Sequence, residues 1–245
     1  DHIEDLCNNY DTIKDKNEYS IAWIDTIKKG SKLGRGEINC ANFLDDNDYK
    51  IAGHDVPEKF FNVFSNSLMP FLVRPLLNVH SIRLLNWLQI HTRSLSSDLQ
   101  MSKISLSKYH FVMDRKFPKY NYFFKHGFFE YQPILPSENC VKGFKELIKI
   151  THRYGFYSLM TGLKAYRNQK EEFLLPFTKD GFSITMDIQK DLKNLQDQIK
   201  MFYEMNDLVI DYGGRIYLGK TPVLNKSHFF RMYKNLDQFL SLKEK

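Results

Sequence analysis

The order of strands and helices is set between residues 128 and 188. The segment FFEYQPILP (128–136) is rich in rings and predicts a strand, and SENCVKGFKELIKITHR (137–153) carries apolar residues at helical spacing. GFYSLMTGLK (155–164) predicts the next strand, and GFSITMDI (181–188) alternates as a further strand. Strands that follow one another this closely favour antiparallel pairing over a parallel sheet with long crossovers.

The flanking segments extend the same pattern. A helix is predicted over about 190–212, followed by a strand at 215–219 and a last helix from about Ser227. Near the start, residues 3–15 predict a helix, and YSIAWID (19–25) and EINCANFL (37–44) predict strands. Together these elements predict an α+β fold, with a mainly antiparallel sheet flanked by helices on one face.

Helix ends and connections carry their own signals. Ser137 is expected to cap the helix that follows it, and Gly155 is expected to close that helix. Gly213 is expected to close a later helix in the left-handed conformation. Residues 45–58 and 166–172 are predicted as loops, and KYHFVMD (108–114) as a strand.

Composition excludes several classes of protein. The net charge is +6, from 35 basic and 29 acidic residues that are widely scattered, which disfavours nucleic-acid binding. Cys7, Cys40 and Cys140 lie far apart without CxxC spacing, so neither a disulfide framework nor a zinc site is expected. Cys40 and Cys140 are expected to be small core residues. The aromatic fraction of 15% suits a large sheet core or a ring-lined pocket.

Membrane contact is left open by the sequence. No signal peptide and no apolar span of membrane length is found, so the expected location is cytoplasmic or peripheral at a membrane. Residues 60–91 are rich in apolar residues, but Pro70, Pro75 and two arginines interrupt them. This pattern favours a packed helical segment over a covering flap or a segment that contacts lipid.

The common catalytic motifs are absent. There is no GxGxxG, GxxxxGK[ST], HExxH or GxSxG sequence, and the eight histidines have no spacing that would gather them around a metal. No metal site is predicted, and a nucleotide site built by this chain alone is disfavoured.

One stretch near the end, YGGRIYLGK (212–220), resembles the C-terminal part of the FAD-linked oxidases, specifically the decaprenylphosphoryl-ribose oxidase group of the vanillyl-alcohol oxidase-like superfamily. Other stretches resemble this group in the same order along the chain: YSIAWID followed by LGRG, KYHFVMD, FFEYQPILP, GFYSLMTGLK and LPFTKDGFSITMDI.

The resemblance implies a domain organisation. Residues 1–212 would form the substrate-binding (cap) domain, and residues 213–245 would begin the segment that returns to the FAD-binding domain. FAD would be bound mainly by an N-terminal domain outside this chain, so the chain is expected to be a piece of a longer protein and inactive alone.

The resemblance also implies site residues. Lys220 matches the lysine beside the flavin and the reacting sugar, and Tyr217 matches a tyrosine on the same strand that contacts the cofactor. The implied substrate-binding residues are Trp23, Tyr109, Gln132, Lys164, Ser183, Thr185 and Asp187. Glu130 and Ser183 replace a glutamine and an asparagine of the family. Thr185 replaces a cysteine that covalent inhibitors attack, so insensitivity to such inhibitors is expected.

Elementary chemistry supports the roles of the two lysines. Flavin oxidation of an alcohol needs a cation near the developing alkoxide or near the reduced ring, and an ammonium group such as that of Lys220 can supply it. Lys164 offers a point charge for a phosphate. Tyr217 and Lys220 are an odd number of residues apart, so both reach one site only if the chain bends at Gly219.

Because alternate residues of a strand point to the same face, several polar residues are expected together. Glu130 and Gln132 are expected on one face, as are Ser183, Thr185 and Asp187. For Asp187 a structural role is equally open, in which its carboxylate caps the following helix.

The resulting hypothesis is an FAD-dependent oxidoreductase acting on a secondary alcohol of a sugar. The expected substrate is a polyprenyl-phosphate-linked pentose, oxidised as the first step of a 2′-epimerisation in cell-wall glycan biosynthesis. Expected partners are the lipid-linked sugar phosphate or another sugar, the chain's own FAD-binding domain, a reductase for the epimerisation and a membrane surface, but no nucleic acid. The alternatives are an alditol or aldonolactone oxidase, and a non-enzymatic module that binds nucleic acid or protein.

Overall fold

The computed structural model describes residues 2–44, 59–60, 64–65, 68–95, 103–111, 119–167, 173–220 and 223–244. The chain forms two compact units, and each is described by itself. The first, called here the sheet unit, comprises Asp1–Asn42 and Phe128–Lys245, and the second unit comprises Phe43–Gly127. The loop predicted at 45–58 lies outside the described residues, as do residues 168–172 of the second predicted loop.

A seven-stranded antiparallel sheet organises the described part of the sheet unit. Its strands are β1 (Tyr19–Asp25), β2 (Arg35–Ala41), β3 (Phe128–Tyr131), β4 (Pro133–Leu135), β5 (Ser158–Tyr166), β6 (Gly181–Gln189) and β7 (Arg215–Ile216). The order across the sheet is β2–β1–β5–β6–β4–β7, and β3 also pairs with β6. The predicted α+β fold with a mainly antiparallel sheet is therefore confirmed.

Alternation along β6 separates the two faces of the sheet. Phe182, Ile184, Met186 and Ile188 are buried in the main hydrophobic cluster, as the sequence pattern predicts. The residues between them, such as Thr185 and Asp187, point to the opposite face and are only half-buried. We call this opposite face, which carries the odd-numbered side chains of β6, the open face.

Five helices are described in the sheet unit: α1 (Ile3–Ile13), α2 (Ser137–Arg153), α3 (Leu195–Asp211), α4 (Lys226–Met232) and α5 (Leu236–Lys243). The apolar stripes of α1, α2 and α3 join the buried side of β6 in one core, which includes Tyr10, Phe144 and Phe202. A short 3-10 turn at Gly30–Lys32 connects β1 to β2. The predicted single last helix is two helices, and the predicted boundary at residue 212 stays a prediction.

The ends of α2 and α3 confirm the two glycine predictions. Gly155 (φ +78°) and Gly213 (φ +71°) are left-handed. The Gly213 N–H donates to the Ile210 carbonyl at 2.8 Å, and the Gly214 N–H donates to the Val209 carbonyl at 2.7 Å. This pair of bonds is the Schellman motif, which needs a left-handed residue that glycine adopts without strain.

Two capping predictions were wrong. Ser137 is the first helical residue of α2, and the residue before it, Pro136, takes the N-cap position with no side-chain bond. Asp187 lies inside β6, eight residues before α3 begins at Leu195, so it cannot cap that helix. The carboxylate of Asp191 instead accepts main-chain N–H bonds in the turn before α3, and hydrogen bonds from Asn194 lower the Asp191 pKa.

The second unit is mostly helical where it is described. Its elements are Lys59–Phe60, Phe64–Ser65, Met69–Val73, Val79–Leu95 and Leu106–His110, with 3-10 turns at Arg74–Leu76 and Tyr120–Phe123. The strand predicted at 108–114 was wrong in its described part, because residues 106–110 are helical. Residues 112–118 lie outside the described residues. Among the described residues, no helix is both long and apolar enough to cross a membrane.

The three cysteines are free thiols. Cys140 is buried as predicted, but Cys40 is exposed, because it lies near the end of the edge strand β2 rather than in the core. Cys7, on α1, is buried. A hydrogen bond with Cys140 and burial both raise the Cys7 pKa, so this thiol is an unreactive core group.

Candidate functional site

The open face gathers most of the residues that the resemblance implied. In antiparallel neighbours, residues directly opposite each other point to the same side of the sheet. Trp23 lies opposite Gly162, and Gly162 lies opposite Thr185. Lys164 lies opposite Ser183, two residues along the same pair of strands. Trp23, Lys164, Ser183, Thr185 and Asp187 therefore share the open face.

A solvent-open cavity of about 370 Å³ lies on this face at the β5, β4 and β7 side. Its lining residues are Gln132, Lys164, Tyr166, Phe177, Thr178, Tyr217 and Lys220. Four of the nine predicted site residues, Gln132, Lys164, Tyr217 and Lys220, line the cavity together. They come from three separate stretches of sequence, so their convergence is a property of the fold.

Gln132 lies between β3 and β4, and both its backbone and its side chain make hydrogen bonds at the cavity. Its side chain is 3% exposed, and its Nε2 donates to the Ser183 Oγ at 3.2 Å. Its main-chain carbonyl accepts the Tyr217 N–H at 2.9 Å. Gln132 therefore fixes Tyr217 against the sheet.

Lys220 reaches the cavity because the chain turns after β7. The strand ends at Ile216 and residues 218–219 form a turn, so the bend expected at Gly219 is confirmed. A Cβ on Gly219 would lie 2.7 Å from the Tyr217 Cζ, which shows how closely the turn folds over that ring. Tyr217 and Lys220 then line the same cavity despite their odd spacing.

The Lys220 ammonium pairs with Glu130. Its Nζ lies 2.9 Å from the Glu130 Oε1, and the two side chains are 36% and 26% exposed. Glu130 is the cross-strand partner of Asp187, so two carboxylates face each other across β3 and β6. The ammonium offsets the repulsion that such a pair would otherwise feel.

Three aromatic rings contact one another in the cavity lining. The Tyr217 and Phe177 ring centroids are 4.7 Å apart, and Tyr166 meets Phe177 edge-on at 5.8 Å. Burial and the nearby Tyr217 raise the pKa of Tyr166, while a hydrogen bond from Gln132 and the Lys220 charge oppose this. The Tyr166 hydroxyl is therefore protonated at neutral pH and can donate a hydrogen bond to a ligand.

Sequence reasoning missed three of the lining residues. Tyr166 follows Lys164 by two on β5, so period two could have found it. Phe177 and Thr178 lie in the segment before β6, where the sequence has no periodic signal. In the structure, the Arg215 guanidinium contacts the Thr178 carbonyl oxygen at 3.5 Å. Glu130, which is not part of the lining, was expected on the same face as Gln132, but its ion pair with Lys220 was not predicted.

The other predicted residues lie outside the cavity lining. Ser183 is fully buried behind Gln132, and Trp23, Thr185 and Asp187 occupy other parts of the open face. Tyr109 belongs to the helix Leu106–His110 of the second unit. Their substrate-binding roles stay predictions.

The donor set of the cavity fits the edge of a flavin ring. The Lys220 ammonium and the Tyr217 side chain lie at a solvent-open, ring-lined site, where a flat heteroaromatic group with carbonyl acceptors could be held. The paired glycines before β7 do not form a phosphate-binding loop, because both belong to the C-terminal motif of α3. If FAD binds here, these two glycines would not hold its phosphates.

Comparison with curated proteins finds a distant relative. The chain is 25% identical over 237 residues to the decaprenylphosphoryl-beta-D-ribose oxidase of Mycolicibacterium smegmatis, with 92% of this chain and 47% of that oxidase covered. No protein-family model matches the chain. The chain spans about half the length of this curated relative. The similarity over nearly the whole chain supports a distant relationship to that oxidase group.

Proposed function

We propose that this chain is the substrate-binding part of an FAD-dependent oxidoreductase that oxidises a secondary alcohol of a phosphorylated sugar. One observation carries the proposal: Lys220, Lys164, Gln132 and Tyr217 converge on a single cavity. The distant relationship to a decaprenylphosphoryl-ribose oxidase supports the reaction class, and Lys164 in the cavity lining supports an anionic sugar.

Lys220 has the chemistry that an alcohol oxidation requires. When bound, FAD would accept a hydride from the carbinol carbon. Loss of the hydroxyl proton would place negative charge on the substrate oxygen, and a fixed ammonium stabilises that charge. The Glu130 carboxylate, 2.9 Å from that ammonium, holds the cation in place and offers an acceptor for the hydroxyl proton.

The remaining lining residues would bind and orient the sugar. Lys164 presents a point charge for the phosphate, and the protonated Tyr166 hydroxyl donates to a sugar oxygen. The Phe177 and Tyr217 rings give the sugar an apolar wall and reduce its contact with water. Such positioning lets a weakly reactive alcohol meet its acceptor in one orientation.

The phosphate requirement can be tested on this chain directly. Ribose 1-phosphate, ribose and inorganic phosphate are titrated against the wild-type chain and the Lys164→Ala variant, with binding followed by calorimetry. We expect the wild type to prefer ribose 1-phosphate, and Lys164→Ala to weaken its binding about tenfold, the loss of one charge-assisted hydrogen bond. Lys200→Ala, which removes an exposed lysine on α3, is the matched control.

Two results would favour one of the alternative functions. Equal binding of ribose and ribose 1-phosphate, unchanged by Lys164→Ala, would favour an alditol or aldonolactone substrate. Binding of RNA or DNA that falls steeply with salt, without sugar binding, would favour the nucleic-acid module.

A further inference from the structure

The helix Val79–Leu95 of the second unit exposes several large apolar side chains. Leu84, Leu85 and Leu88 are 57%, 53% and 42% exposed. Their spacing of three and four residues places them side by side on one helical face. Asn86 and Gln89, which a water-exposed helix would direct outward, are half-buried instead.

The preceding segment exposes apolar groups as well. Phe71 and Leu72 on the helix Met69–Val73 are exposed, and so is Leu76 in the next turn. Trp87, beside the three leucines in sequence, is also exposed. Single exposed apolar residues are ordinary, but this many within residues 71–88 are not.

The charge of this part of the chain is one-sided. Residues 59–97 contain Lys59, Arg74, Arg83 and Arg93 but no aspartate or glutamate, although the whole chain has 29 acidic residues. The Arg83 side chain is exposed on the same helix as the leucines. A surface that is apolar and basic at once is complementary to anionic headgroups above an acyl layer.

We propose that the exposed face of Met69–Leu95 docks on an anionic lipid bilayer. The helix lies in the interface, with Leu84, Leu85 and Leu88 among the acyl chains and Trp87 at headgroup level. It does not cross the bilayer, since none of the described helices is long and apolar enough. Nothing in this proposal depends on the proposed enzymatic function.

Two other occupants fit the same observations less well. A second copy of this chain would place two basic, acid-free segments against each other, and like charges would oppose the contact. A single-stranded nucleic acid would satisfy the arginines but needs aromatic platforms for its bases, whereas the exposed face consists mostly of leucines. The apolar character therefore favours lipid.

Vesicle sedimentation of the 245-residue chain tests the proposal. We expect binding to phosphatidylcholine vesicles that contain phosphatidylglycerol, weakened by salt, and weaker binding to phosphatidylcholine alone. The double variant Leu85→Gln/Leu88→Gln should lose at least about tenfold in vesicle affinity. Arg83→Glu, which leaves the leucines in place, should lose about tenfold on the anionic vesicles only. Leu192→Gln, at an exposed leucine of the sheet unit, is the control and should bind as the wild type does.

Several outcomes would overturn the proposal. The wild type could fail to sediment with either vesicle, or both variants could bind as well as the wild type. The double variant could convert a dimer to a monomer in gel filtration without any vesicle binding, which would assign the face to a second copy. Salt-sensitive RNA binding without vesicle binding would also reject a lipid partner.

Discussion

Gly219→Ala is predicted to disturb the cavity while leaving the fold intact. An alanine Cβ would lie 2.7 Å from the Tyr217 Cζ and 2.8 Å from its hydroxyl, where ordinary contact begins at 3.4 Å. The Tyr217 ring must therefore move by at least about 0.7 Å (3.4 minus 2.7). Because the ring packs on Phe177 at 4.7 Å, the movement also loosens that wall of the cavity.

The expected stability change is small because two effects offset. Loosening the Tyr217–Phe177 pair lowers the free energy of unfolding by up to about 1 kcal/mol. Replacing glycine with alanine restricts the unfolded chain and raises the free energy of unfolding by about 0.4–1 kcal/mol. We expect urea denaturation to give a free energy of unfolding within about 1 kcal/mol of wild type, and ribose 1-phosphate binding to weaken about tenfold. A displaced ring of this size is enough for such a loss.

Gly162→Ala is the matched control for this experiment. A Cβ on Gly162 would lie on the same open face but meet only the Ala22 carbonyl oxygen, at 3.8 Å. It should leave both stability and sugar binding nearly unchanged. Unchanged binding in Gly219→Ala would refute the placement of Tyr217 in the ligand wall, and a loss of several kcal/mol in stability would refute the account of the turn.

Two further substitutions test the packing around the cavity. Glu130→Gln should change stability by less than about 1 kcal/mol, since the pair is partly exposed. It should nevertheless lower kcat of the proposed flavoprotein about tenfold, because it releases Lys220. An unchanged kcat, with Glu204→Gln as control, would remove Glu130 from the mechanism. Tyr233→Phe should cost about 1 kcal/mol, because the hydroxyl donates to the Ile216 carbonyl. Burial raises the Tyr233 pKa from 10.0 to about 12, so its contribution is complete below pH 10 and is lost as pH rises through about 12. The wild-type advantage in the free energy of unfolding should therefore shrink and then reverse across that range, and a constant difference would refute this assignment.

Local patterns predicted the sheet because each strand has one buried face. The alternation of Phe182, Ile184 and Met186 could be read directly from the sequence, and it also fixed which side of β6 is open. Gly155 and Gly213 were predictable for a similar reason, since both positions require a left-handed residue. These are local requirements that one stretch of chain expresses by itself.

The errors arise where tertiary context overrides local preference. Residues 108–110 are ring-rich and read as a strand, but they are helical in the second unit. Cys40 has apolar neighbours in sequence, but an edge strand leaves it exposed. Ser137 resembles an N-cap, but Pro136 fixes the helix entry one residue earlier.

The site was predictable only in part. Gln132, Lys164, Tyr217 and Lys220 were identified by the resemblance, and their shared cavity follows from strand register and the turn at Gly219. The Glu130–Lys220 ion pair had no local signal, because it joins residues ninety positions apart. Contacts of this kind depend on the assembled sheet, which sequence periodicity does not encode.

The most direct measurement follows flavin reduction in a protein that joins this chain to the proposed FAD-binding domain. A prenyl-phosphoryl pentose is mixed anaerobically with wild type and with Lys220→Ala, and the flavin absorbance is recorded. The flavin of the wild type should lose its absorbance on reduction, whereas the Lys220→Ala variant should keep its FAD bound and oxidised. Bleaching of Lys220→Ala at the wild-type rate would contradict the central role given to this lysine.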